Sequence, residues 1–260
     1  MSNDIFRMIE KDIISDRPIE IIPIGDLHIG AKNCNIGKIK GILDAILNDP
    51  YKYCILLGDL CDTGLKNSKT DIYESSMSIS EQLATVEKLL SPLVNKNKIL
   101  AMTSGNHENR VTKEVGIDFS RVIAQDLGIE HLYRKEIAFL KLRINPKQGY
   151  HYPVYSFAIT HGAGGGNVAF INKNQQFGNI IEGVDCLITG HTHKPVVTVP
   201  SKLVVNLQTG TISSKPYFCV TATSFLDYGG YAADKMLQPT SIRPQIICCY
   251  ENEKYMSVSI

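Results

Sequence analysis

Apolar residues arrive along this chain in two rhythms. From Ile19 the stretch "IEIIPIG" is almost unbroken in its hydrophobicity and stops at a glycine, which is how a strand buried on both faces reads. "YCILLGD" (53–59) and "KILAMTSGN" (98–106) repeat that form. Between and after them the apolar spacing changes to that of helices, predicted over 36–49, over 72–94 with Pro92 near its end, and from about Lys113 to Leu127. Beyond these the chain turns to short strands, expected at 136–144, 151–160, 184–189, 195–199, 202–209, 217–225, 243–250 and 254–259. Residues 4–15 set Ile5, Met8, Ile9 and Ile13 along one side and read as an amphipathic helix. The expected organisation is therefore a helical extension over 1–17 and one domain over 18–260, with "NPKQG" (145–149) a hairpin turn rather than a boundary. Strand–helix alternation followed by many strands predicts an α/β protein of two packed sheets with helices outside.

Composition narrows the class. The chain is 43% hydrophobic and 20% charged, and 27 Lys and Arg against 26 Asp and Glu leave a net charge of +1. That balance provides no general attraction to membranes or nucleic acid, although a local patch could. The seven cysteines are odd in number, form no CxxC pair and sit in runs such as "QIICCY". They read as small buried hydrophobes of a reducing, cytoplasmic protein. No apolar run nears the ~18 residues of a membrane span, and because the opening residues mix charges along their length no signal peptide is expected.

Chemistry is concentrated where the strands stop. "GDLH" (25–28), "GDLCD" (58–62), "GNHE" (105–108), "THG" (160–162) and "GHTH" (190–193) each begin at the end of an apolar segment and hold five of the seven histidines. Ligand sites of α/β sheets lie outside the carboxyl ends of the strands, so five turns can converge on one site. Asp26 with His28, and His191 with His193, are two residues apart, a spacing that on an extended chain turns both side chains one way. Asp59, Asn106 and His161 come from three further turns. This nitrogen and oxygen donor set suits Mn²⁺ first, with Fe, Zn²⁺ or Ni²⁺ as alternatives, better than Ca²⁺. Seven ligands exceed what one such ion uses and suit two ions sharing a carboxylate and a bridging hydroxide. The charge left over in such a site is positive and favours an anion, so the chemistry indicated is phosphoester hydrolysis. His107, next to Asn106, is placed to protonate a leaving oxygen, and Asp62, one helical turn past Asp59, to orient that imidazole. Arg110 is a candidate contact for a phosphate oxygen.

Five motifs in this order resemble the calcineurin-like metallophosphoesterase superfamily, over about Pro18 to Ser214. The resemblance implies two stacked mixed β-sheets flanked by helices, a four-layer αββα sandwich. It implies one metal held by Asp26, His28, Asp59 and His193, a second by Asp59, Asn106, His161 and His191, and His107 with Asp62 as the acid couple. Thr63 stands where phosphoprotein phosphatases of the superfamily carry arginine, so the chain looks more like the phosphodiesterase and nuclease-type members. "DLHIG" with "GHTH" is similar to the nuclease subunits of double-strand-break repair complexes, but their separate DNA-capping domain is not expected in a sequence running to Ile260. The expected activity is a phosphodiesterase acting on a nucleotide or nucleic acid. The alternatives are a phosphomonoesterase and, from another class, a non-catalytic metal-binding scaffold, although no ligand position is missing.

Five further features also admit ordinary structural roles. His131 and His151 lie outside the motifs and read as structural. The loop 63–75 carries Lys66 and Lys69, and 227–235 sets a glycine pair between two tyrosines, so either could contact substrate. "GAGGGN" (162–167) lacks the Lys-Ser/Thr of a P-loop and reads as a close backbone approach.

Overall fold

The computed structural model describes residues 7–65, 75–164, 168–229, 233, 236 and 238–260. Among the described residues the strands and α-helices, numbered in chain order, are β1 (Ile9–Ile13), β2 (Ile19–Ile24), α1 (Ile36–Asn48), β3 (Lys52–Leu56), α2 (Ile79–Asn95), β4 (Ile99–Thr103), α3 (Glu108–Val115), α4 (Phe119–Asp126), β5 (Tyr133–Arg134), β6 (Ile137–Ile144), β7 (Val154–Thr160), α5 (Ala169–Asn179), β8 (Cys186–Thr189), β9 (Val196–Thr198), β10 (Ser201–Asn206), β11 (Thr211–Pro216), β12 (Phe218–Thr221), β13 (Ile246–Cys249) and β14 (Met256–Ser259).

Two mixed six-stranded sheets form the body, in the orders β14-β13-β2-β3-β4-β5 and β1-β6-β7-β8-β12-β9. In the first, β2, β3, β4 and β5 run parallel and are buried nearly throughout. That is why their segments read as continuous apolar runs. In the second, β6 alternates inside and outside along all eight residues, as a strand with one wet face must. Side chains of both sheets, including Ile21, Ile55, Leu140 and Phe157, belong to one buried core. The helices flank the pair of sheets: α1 packs on α2 and β3, while α5 packs on β8 and β12. This is the expected two-sheet α/β sandwich.

Local chemistry accounts for the helix ends. Asn35 Oδ1 accepts from the Lys38 amide to cap α1, and Ser78 with Glu81 forms a reciprocal capping box at the start of α2. Gly116 stops α3 in the left-handed conformation, φ 76°. The single helix expected from Lys113 to Leu127 is therefore two, α3 and α4.

The amphipathic helix expected over 4–15 is corrected. Its described part holds β1, which pairs in parallel register with β6 from Ile9↔Leu140 to Ile13↔Ile144. Ile9 and Ile13, four apart, satisfy a helical stripe and a strand face equally, and the exposed edge of β6 decides between them. The strand expected over 202–209 is one arm of a hairpin, β10 with β11, whose second arm the sequence reading missed. It missed α5 as well, because the buried stripe of that helix, Phe170, Asn174 and Gly178, is hardly apolar. Asn174 reaches Thr189 Oγ1 at 2.9 Å and Thr221 Oγ1 at 3.1 Å, which satisfies a buried amide. Lys66, Lys69 and most of the 63–75 loop lie outside the described residues, as do residues 4–6, 165–167 and most of 230–235. His131 and His151 are exposed.

Candidate metal centre

The turns that follow β2 and β3 are zipped together before either carries chemistry. Asp26 donates its amide to Gly58 O at 3.1 Å, His28 to Asp59 O at 3.0 Å, and Asp62 to Ile29 O at 3.0 Å. The "GNHE" turn after β4 lies directly on the "GDLCD" turn. A Cβ on Gly58 would sit 2.2 Å from Gly105 N, and one on Gly105 would sit 2.1 Å from Asp59 N. Both glycines are required because the two backbones touch.

Into that contact the chain inserts Glu108, a buried carboxylate whose role was not read from the sequence. Its Oε2 accepts from the amides of Asp59 (2.9 Å) and Gly105 (3.2 Å), and its Oε1 from those of Leu60 (2.6 Å) and Cys61 (3.0 Å). Burial and the Asp59 charge push its pKa up while backbone amides pull it down. Three of these donors belong to the Asp59 turn and the fourth to the "GNHE" turn, so one carboxylate clamps the two turns together. The signal was visible as the acid that ends "GNHE", but nothing in its spacing separates such a clamp from a solvated first-turn glutamate.

The candidate ligands reach the site on strained backbone. Asp26 (φ 50°), His28 (47°), Asp59 (50°), His191 (72°) and His193 (57°) are five of the nine non-glycine residues with left-handed φ among those described. Such conformations are uncommon outside glycine, are adopted most readily by Asn, Asp and His, and cluster at functional sites. The paired residues do converge, but through this conformation rather than the extended alternation expected from their spacing. The other sheet is stitched on by His191 N donating to Asp26 Oδ2 (2.8 Å), while Gly190 N donating to His161 O (2.9 Å) joins that sheet's own two turns, after β7 and β8.

All seven candidate ligands meet at one place. His193 Nε2 is 3.2 Å from Asp26 Oδ1 and 3.1 Å from His28 Nε2. On the other side, His161 Nε2 lies 3.2 Å from Asp59 Oδ2 and 2.9 Å from Asn106 Oδ1, which is itself 2.6 Å from His191 Nδ1. Donor atoms of Asp26, His28 and His193 lie within 4.8 Å of one another, as do those of Asp59, His161 and His191, and those of His28, Asp59 and His107. Asp59 Oδ2 is 3.9 Å from His28 Nε2 as well, so this one oxygen faces both clusters.

The donor chemistry fits a cation. Asp26 Oδ1 is buried without a hydrogen-bond partner, an arrangement that costs free energy unless something positive faces it. His161 Nδ1 is 2.7 Å from Leu57 O and must donate there, so the Nε2 lone pair confronts the oxygens of Asp59 and Asn106. A lone pair against two acceptors is tenable only with a proton or a metal between them. Without a metal, the protein holds the proton. Burial opposes the imidazolium, yet Asp59 overrides it and pushes His161 up to about 10. Burial pulls His28 down, and burial with the neighbouring His161 does the same to His191. Burial alone would raise Asp26 and Asp59, but His193 and His161 respectively outweigh it and hold both carboxyls below the ordinary value.

His107 is in contact with Asp62. Its Nδ1 lies 2.7 Å from the Asp62 carbonyl and 3.3 Å from Asp62 Oδ1. Burial lowers the His107 pKa, and Asp62 together with the Asp59 charge more than restores it. Asp62 also faces His28 Nδ1 at 3.5 Å. Arg110, expected to contact a phosphate, places Nη2 2.9 Å from His107 Nε2. Thr63 is buried, donates its amide to Gln82 Oε1 (2.9 Å) and donates its hydroxyl to the His107 carbonyl. A cavity of about 490 Å³ opens elsewhere, between β1 and β5, and no candidate site residue lines it.

Comparison with known proteins agrees with this geometry. The calcineurin-like phosphoesterase family profile matches residues 19–195, and the chain belongs to that family. No curated protein matches it. Among solved structures, a conserved uncharacterized protein of Streptococcus pneumoniae TIGR4, described as a predicted phosphoesterase, is 12% identical with a TM-score of 0.39. The match covers 94% of this chain and 89% of that one. The Pseudomonas putida nuclease MPE is 13% identical with a TM-score of 0.35, covering 92% of this chain and 87% of that one. At those scores neither likeness bears on activity. Among the described residues no helix is long and apolar enough to cross a membrane.

Proposed function

We propose that the protein is a phosphoester hydrolase dependent on two divalent transition-metal ions, with Mn²⁺ the leading candidate, and that it acts on phosphodiesters of a nucleotide or nucleic acid. The observation that carries this reading is Asp59 Oδ2, a single carboxylate oxygen facing His161 on one side and His28 on the other. Asp26, His28 and His193 would hold one ion, and Asn106, His161 and His191 the other, with Asp59 shared. Two such ions supply an activated water and neutralise the charge that builds on a phosphoryl group.

The remaining roles belong to the chain. Asp62 holds His107 through Nδ1, which leaves Nε2 as the atom from which a proton reaches the leaving oxygen. Arg110 sits on that nitrogen and must move from it as the leaving group arrives. Thr63 supports the diester preference. Buried under His107, it offers no guanidinium fork for the extra charge of a monoester.

The test is kcat/KM for bis-nitrophenyl phosphate against nitrophenyl phosphate at equal Mn²⁺ loading, with chelated protein as the control. A diester preference abolished by chelation is expected. A monoester favoured about tenfold (1.4 kcal/mol) would make the protein a phosphatase, and metal binding without turnover of either would make it a scaffold.

A further inference from the structure

The β10–β11 hairpin stands apart from both sheets and, among the described residues, its strands pair only with each other. It is nevertheless firmly specified. Asn206 Oδ1 accepts from the amides of Gln208 (3.0 Å) and Thr209 (3.2 Å) in the turn, and Gly210, in the left-handed conformation, donates its amide to Asn206 O. At the root, the Lys202 ammonium bonds Ile181 O and lies 5.0 Å from the Tyr217 ring centre.

Its two faces are inverted with respect to water. The register puts Lys202, Val204, Asn206, Thr211, Ser213 and Lys215 on one side. Three of them, Lys202, Val204 and Lys215, line a small cavity against Glu182 and Val184 of the body. The opposite side carries Leu203, Val205 and Ile212, which are 79%, 59% and 69% exposed, and Leu207 at the tip is 91% exposed. An alternating strand turns its apolar side to a partner, and an isolated two-stranded hairpin is marginal in water. Contiguous aliphatic surface of this kind marks a contact site.

We propose that this face is an interface with a second copy of the same chain, hairpin against hairpin across a two-fold axis. The side formed by Ser201, Leu203, Val205, Ile212, Ser214 and Pro216 holds no ionisable group, so two identical faces meet without like-charge cost. It has no cation or aromatic ring to engage a nucleic acid strand, and no basic or aromatic anchor for a lipid surface. The four exposed aliphatic side chains offer roughly 400 Å² per copy, about 800 Å² for the pair before backbone and polar rim are added. That approaches the ~1,200 Å² at which specific interfaces begin, as for a weak, concentration-dependent dimer.

Sedimentation equilibrium of the full chain tests this between about 1 and 200 μM. The mass should rise with concentration from 28.8 kDa toward twice that value. Amides of β10 and β11 should exchange more slowly at the high end. Leu203→Asp with Ile212→Asp should remain monomeric throughout with an unchanged circular dichroism spectrum. Leu207→Asp, at a tip too exposed to affect folding, should raise Kd at least about tenfold and decides the matter if the double variant fails to fold. A wild-type monomer at the highest concentration would overturn the proposal. So would dimerisation that survives the substitutions, or a monomer that instead binds phosphatidylglycerol vesicles through the hairpin.

Discussion

The backbone amide of His107 donates to Asp59 Oδ1 at 2.8 Å. One oxygen of the carboxylate proposed to be shared is therefore tied to the residue proposed to deliver the proton, and the other, Oδ2, is left to face both histidine clusters. The proposed acid and the proposed metal site share one contact between two turns. The position of His107 is thus fixed by its backbone, whatever happens to its side chain.

Replacing that side chain should leave the metal site standing. His107→Ala is expected to retain bound metal while kcat falls about 10²–10⁴-fold on substrates with poor leaving groups. The loss should shrink for nitrophenyl esters, which need little protonation. Asp62→Asn should show a milder form of the same pattern. Rates measured across a series of aryl leaving groups check this, and an equal loss on all of them would remove His107 from the acid role.

Glu108 should matter for stability ahead of chemistry. A glutamine in its place turns an N–H₂ toward backbone amides that need an acceptor, so Glu108→Gln is expected to cost about 2–4 kcal/mol. Urea unfolding of the chelated protein measures it. Because the Asp59 turn is what Glu108 holds, metal affinity should fall as well. A variant within about 0.5 kcal/mol of wild type would show that the four amides find other partners.

Metal loading should release protons. His161 is pushed up to about 10, so in metal-free protein it is imidazolium at neutral pH, and a metal can bind only the neutral ring. Each equivalent bound at that cluster should displace about one proton near pH 7.5, and affinity should weaken as pH falls from about 10 toward neutrality. Calorimetric titrations in two buffers of different ionisation enthalpy count the protons. Loading with no proton release would mean that His161 is not a ligand.

How far the sequence carried this account depends on how local each signal was. The ends of β2, β3 and β4 were legible because strands buried on both faces give unbroken apolar runs ended by glycine, and the chemistry sits just past those ends. Ile9 and Ile13 misled because a spacing of four fits two periods, and the partner strand β6 lies more than a hundred residues away. Glu108 and Arg110 were visible as residue types, but their partners, four backbone amides and His107 Nε2, exist only once the turns are stacked. The left-handed φ of Asp26, His28, Asp59, His191 and His193 has only a weak sequence signature, the readiness of Asp and His to enter that region. The hairpin was half read because β11, "TISSKP", has one apolar aliphatic in six residues.

The central claim is that two ions act together around Asp59, and a metal titration followed by both metal content and bis-nitrophenyl phosphate hydrolysis tests it most directly. For the wild-type chain, activity should stay low until the second equivalent of Mn²⁺ binds and saturate near two ions per chain. Asp59→Asn should weaken both equivalents together, whereas His28→Ala should weaken mainly one. Full activity with one ion per chain at saturation would contradict the account.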